Sequence, residues 1–137
     1  MAFAASAAWA QVPGEKTVDG VRFNVGVASV EQVLALPASD PERNMHAHPY
    51  RHGTEHLVVA LADARSGAPI GRANVTATVS RRGMEEQSRT LELMRFPGAP
   101  SWGDYFDMRA PGPYRIHLVA SLPGRGPVAA DFEYRNR

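Results

Sequence analysis

The stretch TEHLVVALADARSGAPIGRANVTATVS, residues 54–80, decides the architecture. Its opening, EHLVVALAD, is a continuous apolar run that reads as a strand. The centre, ARSGAPIG, gathers glycine, proline and serine and reads as a turn. The end, RANVTATVS, sets Ala73, Val75, Ala77 and Val79 against Asn74, Thr76 and Thr78. That alternation puts one face of a second strand in a core and the other in water.

The same grammar extends in both directions. Upstream, VRFNVGVAS (21–29) places Val21, Phe23, Val25 and Val27 on one face. Downstream, RRGMEEQ (81–87) connects to SRTLELMRF (88–96), and PGAPSWG (97–103) turns into DYFDMRA (104–110). Pro111-Gly112-Pro113 leads into YRIHLVASL (114–122), and PGRGP (123–127) closes a hairpin to VAADFEYRN (128–136). Twelve glycines and eleven prolines punctuate these segments. The expectation is an all-β chain: a single antiparallel β-sandwich of about seven strands over residues 21–137, immunoglobulin-like or cupredoxin-like.

The remaining segments are not strand-like. Residues 11–20 are polar, contain Pro13, Gly14 and Gly20, and read as a flexible lead-in. VEQVLAL (30–36) fits either one helical turn or the end of the preceding strand. Residues 37–53 hold three prolines and little apolar content, so a long loop is expected there. Loops of that length are usually functional or disordered.

At 137 residues the chain fits one domain and is long enough to bury a core without covalent staples. Its formal charge of +1 gives no field that would favour nucleic acid or an anionic membrane. Fourteen of the fifteen basic residues are arginine, a bias that reads as genome composition rather than as a functional signal. The absence of cysteine excludes disulfides, thiolate zinc sites and a blue-copper electron-transfer centre.

The first ten residues, MAFAASAAWA, are small and apolar and end in Ala8-Trp9-Ala10 before Gln11. That A-x-A pattern matches the tail of a secretory signal peptide cleaved after Ala10, although the positively charged opening is missing. A disordered alanine-rich leader is the alternative. With no other stretch approaching a membrane span, the expectation is a soluble protein exported to the periplasm.

Four of the five histidines fall within NMHAHPYRHGTEHLVVAL (44–61): His46, His48, His52 and His56. They are interleaved with mixed residues inside the chain, which rules out a purification tag. His46 and His48, two apart in an extended segment, project to the same side. His52 belongs to the loop, and His56 opens the strand. Neutral imidazole is the commonest metal ligand, and methionine adds a soft thioether that selects copper(I). Met45 lies inside the cluster, Met94 on the fifth strand and Met108 on the sixth. On TLELMRF, Met94 shares a face with Glu92 and Phe96, so it points outward if Leu91 and Leu93 point inward. A histidine and methionine set without cysteine points to copper; zinc and iron fit less well. The bland readings are a solvated histidine-rich loop, methionines that fill a core, and His117 as an exposed strand residue.

Enzymatic readings find little support. Ser101, Asp104 and a histidine can be assembled into a triad on paper, but no G-x-S-x-G elbow is present. No glycine-rich phosphate loop and no H-E-x-x-H occurs. Glu55, Asp104 and Asp107 read as ordinary surface carboxylates. The expectation is a binding protein rather than an enzyme.

The run TEHLVVALADARSGAPIGRANVTATVS, then LELM, GDYFDM and GPYRIHLVASLPGRGPVAADFEY, resembles the YtkA-like and FixH-like group of small exported β-sandwich proteins. The resemblance covers roughly residues 45–134. It implies a role in copper handling, oxidase assembly or metal resistance, with a membrane transporter or oxidase-assembly complex as partner. More remotely, the arrangement is similar to periplasmic iron-uptake accessory proteins, cupredoxin-like and often dimeric, which bind copper through histidine, methionine and a carboxylate. Carried over, the resemblance implies His46, His56 and Met94 as ligands, with Met45 or Met108 secondary. His48 and His52 have no counterpart in it. FEYRNR lacks the late histidine of the iron-uptake proteins, leaving His117 as the only late one. A non-metal immunoglobulin-like module that docks a membrane or periplasmic complex remains the alternative.

Overall fold

The computed structural model describes residues 11–29, 54–96 and 99–136. The leader, the 37–53 loop and the candidates Met45, His46, His48 and His52 lie outside the described residues. Nine strands are described: β1 (Gln11–Val18), β2 (Val21–Ser29), β3 (Thr54–Asp63), β4 (Asn74–Ser80), β5 (Gln87–Thr90), β6 (Glu92–Phe96), β7 (Ala99–Asp107), β8 (Gly112–Ser121) and β9 (Pro127–Asn136). They form two antiparallel sheets, β1-β2-β3-β7-β6 and β5-β4-β8-β9. The architecture is the expected all-β sandwich.

Two strands exceed the expected seven. The first is β1, where a flexible lead-in was expected. Asp19 and Gly20 both have positive φ, 49° and 79°, and join Val18 to its partner Val21 in a two-residue hairpin. Asp-Gly favours this turn because both positions need a left-handed backbone that suits right-twisted strands. β1 is an edge strand, so it needs only one row of hydrogen bonds, and its register shifts between Gln11 and Gly14 around Pro13. The second arises because residues 88–96 are not one strand. The chain leaves the second sheet after β5 and enters the first as β6, with Leu91 between them donating its N–H to Val75 O at 2.8 Å.

The alternating residues meet between the sheets. Phe23 and Val25 of β2 and Leu57 and Val59 of β3 share the core with Val75 and Ala77 of β4, Ile116 and Leu118 of β8, and Phe132 of β9. Both sides of the sandwich are tied. On one, Lys16 of β1 donates to Asp131 O of β9 and sits 5.2 Å from the centre of the Phe132 ring. On the other, the crossing at Leu91 carries its side chain into the core. The turn after β3 is organised by Asp63, whose Oδ1 accepts the N–H groups of Arg65 and Ser66 at 2.9 Å each. Those donors, Ser66 first, hold the Asp63 carboxyl below its ordinary value.

Candidate metal centre

The site is built on the outer face of the first sheet. β3 runs between β2 and β7, and its core-facing residues are Leu57, Val59 and Leu61. Alternation therefore turns His56 to the opposite face, opposite Ala28 of β2 and Tyr105 of β7. His56 is nonetheless fully buried. Its ring stacks on Tyr105, with centroids 4.8 Å apart and planes inclined at 29°.

Met94 reaches the same face from the other side of β7. On β6, Leu93 pairs with Trp102 and packs against the core, whereas Met94 pairs with Ser101 and faces outward. The expected parity is correct, but the outward side chain is completely buried rather than solvated. Alternation determines which face a residue occupies and is silent on whether that face is covered.

Between them lies Gly103. A Cβ built there would sit 2.8 Å from Met94 Cε, 3.0 Å from His56 Nε2 and 2.8 Å from Leu57 O. The methionine methyl and the imidazole nitrogen thus lean over one backbone position. The sequence reading put Gly103 in a turn; it is an interior residue of β7, paired with Val58 and Glu92. A glycine inside a strand commonly marks a close approach of other groups. Glu92, its partner on β6, is exposed. Ser101 Oγ is buried and has no hydrogen-bond partner among the described residues.

The residue types fit a soft or borderline ion: an imidazole nitrogen and the methyl end of a thioether lean over one position, beside a buried hydroxyl. Among the described residues, no three His, Asp or Glu side chains cluster in a way that would hold a metal. Any site here therefore depends on methionine or on residues outside the described set.

Solved structures share this architecture. A copper-bound variant of FetP from uropathogenic Escherichia coli matches with a TM-score of 0.70 over 92% of this chain and 96% of that one, at 16% identity. Copper-reconstituted P19 from Campylobacter jejuni matches with a TM-score of 0.68 over 92% and 95%, at 13% identity. A DUF4426 family protein from Pseudomonas aeruginosa matches with a TM-score of 0.66 over 93% and 94%, at 14% identity. The likeness is one of fold. No family model matches the chain, and no curated protein matches it in sequence.

On this FetP- and P19-like fold the other candidates fall elsewhere. Met108 is fully buried in the core cluster with Trp102 and Phe106, as a packing residue rather than a neighbour of the outer-face pair. His117 lies on the second sheet, 43% exposed, with Nδ1 2.7 Å from Asp131 Oδ1. Hydrogen bonds from Arg115 and then His117 hold the Asp131 carboxyl below its ordinary value. The triad imagined from Ser101 and Asp104 does not assemble, because residues three apart on β7 point to opposite faces.

Glu55 and Asp104, expected as surface carboxylates, are both buried. Glu55 shares the parity of Leu57 and faces the core, where its Oε1 accepts the Tyr134 hydroxyl at 2.9 Å. Burial, reinforced by that carboxylate, pushes the Tyr134 phenol far above its usual range. Asp104 Oδ1 accepts the N–H of Tyr105 at 2.7 Å. Tyr134→Phe should lower unfolding stability by about 1–3 kcal/mol, because it removes a donor from a buried carboxylate. Urea unfolding reads this directly; an unchanged midpoint would mean that the bond adds nothing to the folded state.

Proposed function

We propose that this chain is an exported copper-binding protein that holds the ion on the outer face of the first sheet. His56 Nε2 and the Met94 thioether supply donors there. The role is that of a chaperone, buffer or delivery protein in copper homeostasis or metalloenzyme assembly, without chemistry of its own. The observation that carries this reading is the convergence of His56 Nε2 and Met94 Cε, each within 3.0 Å of one point above Gly103. The fold shared with copper-bound FetP and P19 supports it.

Thioether sulfur prefers copper(I), and imidazole serves both oxidation states. His46, His48, His52 and Met45, which shortly precede His56 in the chain, are proposed as the remaining donors. Met108 drops out of the ligand set as core filler. Zinc fits less well, being below copper in affinity and indifferent to methionine. The kinship to the YtkA-like and FixH-like group, the periplasmic location, a transporter or oxidase-assembly partner and a homodimer belong to the same proposal. No helix among the described residues is long and apolar enough to cross a membrane.

The test is a titration of the tag-free protein with copper(I) and copper(II), with bound metal counted by elemental analysis. His56→Ala and His46→Ala should each weaken binding by at least about tenfold, and His117→Ala should not. Because the ligating imidazole must be neutral, affinity should fall as pH drops through about 6.5, the ordinary histidine value. Equal damage from His117→Ala would move the site to the second sheet. A protein that takes up no copper would leave the docking-module reading in its place.

Met94→Leu separates the two donors. The exchange conserves volume and apolarity, so the fold should change by less than about 1.5 kcal/mol. Copper(I) affinity should fall much more than copper(II) affinity, since only the soft donor is lost. Equal losses would mean that Met94 is packing alone and that the site is made of imidazoles.

A further inference from the structure

We infer that Gly103 is the positioning residue of the outer-face site, the gap that lets a thioether and an imidazole meet across an intervening strand. The inference rests on the copper reading above. His56 and Met94 stand on β3 and β6, which are not neighbours; β7 runs between them. Two strand spacings separate β3 from β6 by roughly 9–10 Å, and the β7 partners of His56 and Met94, Tyr105 and Ser101, stand four residues apart, so the two side chains meet only by leaning over β7. The outer face of β7 there carries Ser101, Gly103 and Tyr105 in succession.

The outer two of these have side chains that border the opening. Tyr105 stacks on the His56 ring, and Ser101 lies opposite Met94 with its buried hydroxyl lacking a hydrogen-bond partner among the described residues. Only the middle position is empty, and both donor groups lean into it. Backbone conformation does not explain the glycine, because its φ lies outside the left-handed region. Space does. A methyl at this position would meet Met94 Cε at 2.8 Å and His56 Nε2 at 3.0 Å. The methionine, flexible along its stem, is the group that would swing away; the stacked imidazole would give only slightly.

Gly103→Ala should therefore act as a mutation of the methionine donor without touching it. Copper(I) affinity should fall by about ten- to a hundredfold, the range seen when a residue that orients a ligand is lost. Copper(II) binding should fall less and lose any sulfur-to-copper charge-transfer absorption shown by the unaltered protein. A Gly103→Ala/Met94→Leu double variant should bind copper(I) no more weakly than the worse single variant, since both remove the same donor. Losses that add, or a Gly103→Ala protein that binds copper(I) as before, overturn the inference while leaving the copper reading intact. An unaltered protein that binds no copper overturns both.

Leu57 O also stands 2.8 Å from the added methyl, so a second measurement covers a variant that fails to fold. In NMR spectra of the unaltered protein, copper(I) should shift the Met94 methyl, the His56 ring protons and the Gly103 Hα protons together. Gly103 protons that stay in place while the other two move would place the ion away from this gap and overturn the inference.

Discussion

Saturating copper should stabilise the folded protein by about 4 kcal/mol at a thousandfold excess over Kd, raising both thermal and urea midpoints. The reason is geometric. His56 and Met94 belong to strands that β7 separates, so their convergence exists only after β3, β7 and β6 have paired. An ion that needs both groups binds the native state and not the chain that has lost its sheet. The histidines at 46, 48 and 52 work against the full gain, because a local cluster keeps some affinity for copper when unfolded, and binding to the unfolded chain reduces the shift. Copper(I) should therefore give the larger shift, since it draws most on the thioether. Zinc should give a smaller one. If the clustered histidines are ligands, trypsin cleavage at Arg43, which precedes them, and at Arg51, which lies among them, should slow in the same titration. Copper that changes neither midpoint nor cleavage would reduce the cluster to solvated residues and favour the docking module.

The parts of the fold that could be read from residues alone are those where alternation is strict. Val21 to Val27 on β2 and Val75 to Val79 on β4 put every second residue in the core. The continuous apolar run of β3 was equally clear as a strand. β1 escaped notice because an edge strand tied by a tight hairpin needs neither apolar alternation nor high β-propensity; the signal that marks it is Asp19-Gly20. The split at Leu91 escaped because a strand that changes sheets keeps its local pattern while exchanging partners. At the candidate site, the composition of 44–61 singled out His56, and the leucines beside Met94 gave its face. What alternation lacked was the covering of that face and the register that sets β7 between His56 and Met94. Both are non-local. Gly103 was misread for a physical reason: after two prolines and another glycine, a further glycine looks like the end of a turn, although strand residues follow it at once. Glu55 was misjudged in the same way, since its charge argues for water while its parity with Leu57 argues for the core. The Tyr134 hydroxyl helps to make that burial tolerable.

Trp102→Ala should lower unfolding stability by about 3–5 kcal/mol, the cost of removing a large aromatic from a packed interior. Trp102 is 2% exposed, pairs with Val59 on one side and Leu93 on the other, and faces the second sheet. Its neighbours in the chain, Ser101 and Gly103, face the other way and border the proposed ion. One strand thus carries packing on one side and the proposed binding on the other, and the two readouts should come apart. The variant should show a much lower urea midpoint with a similar slope, because the same surface is exposed on unfolding. Measured where the variant remains folded, its copper(I) affinity should stay within a few-fold of the unaltered protein. Met94→Leu should do the opposite, keeping the midpoint and losing the copper(I). A stability loss below about 1 kcal/mol, the size of an ordinary substitution, would show that Trp102 is not part of the close-packed interior. A folded Trp102→Ala protein that no longer binds copper(I) would show that the core holds the outer face in shape. Binding would then depend on the packing between the sheets, and not on Gly103 and its two neighbouring donors alone.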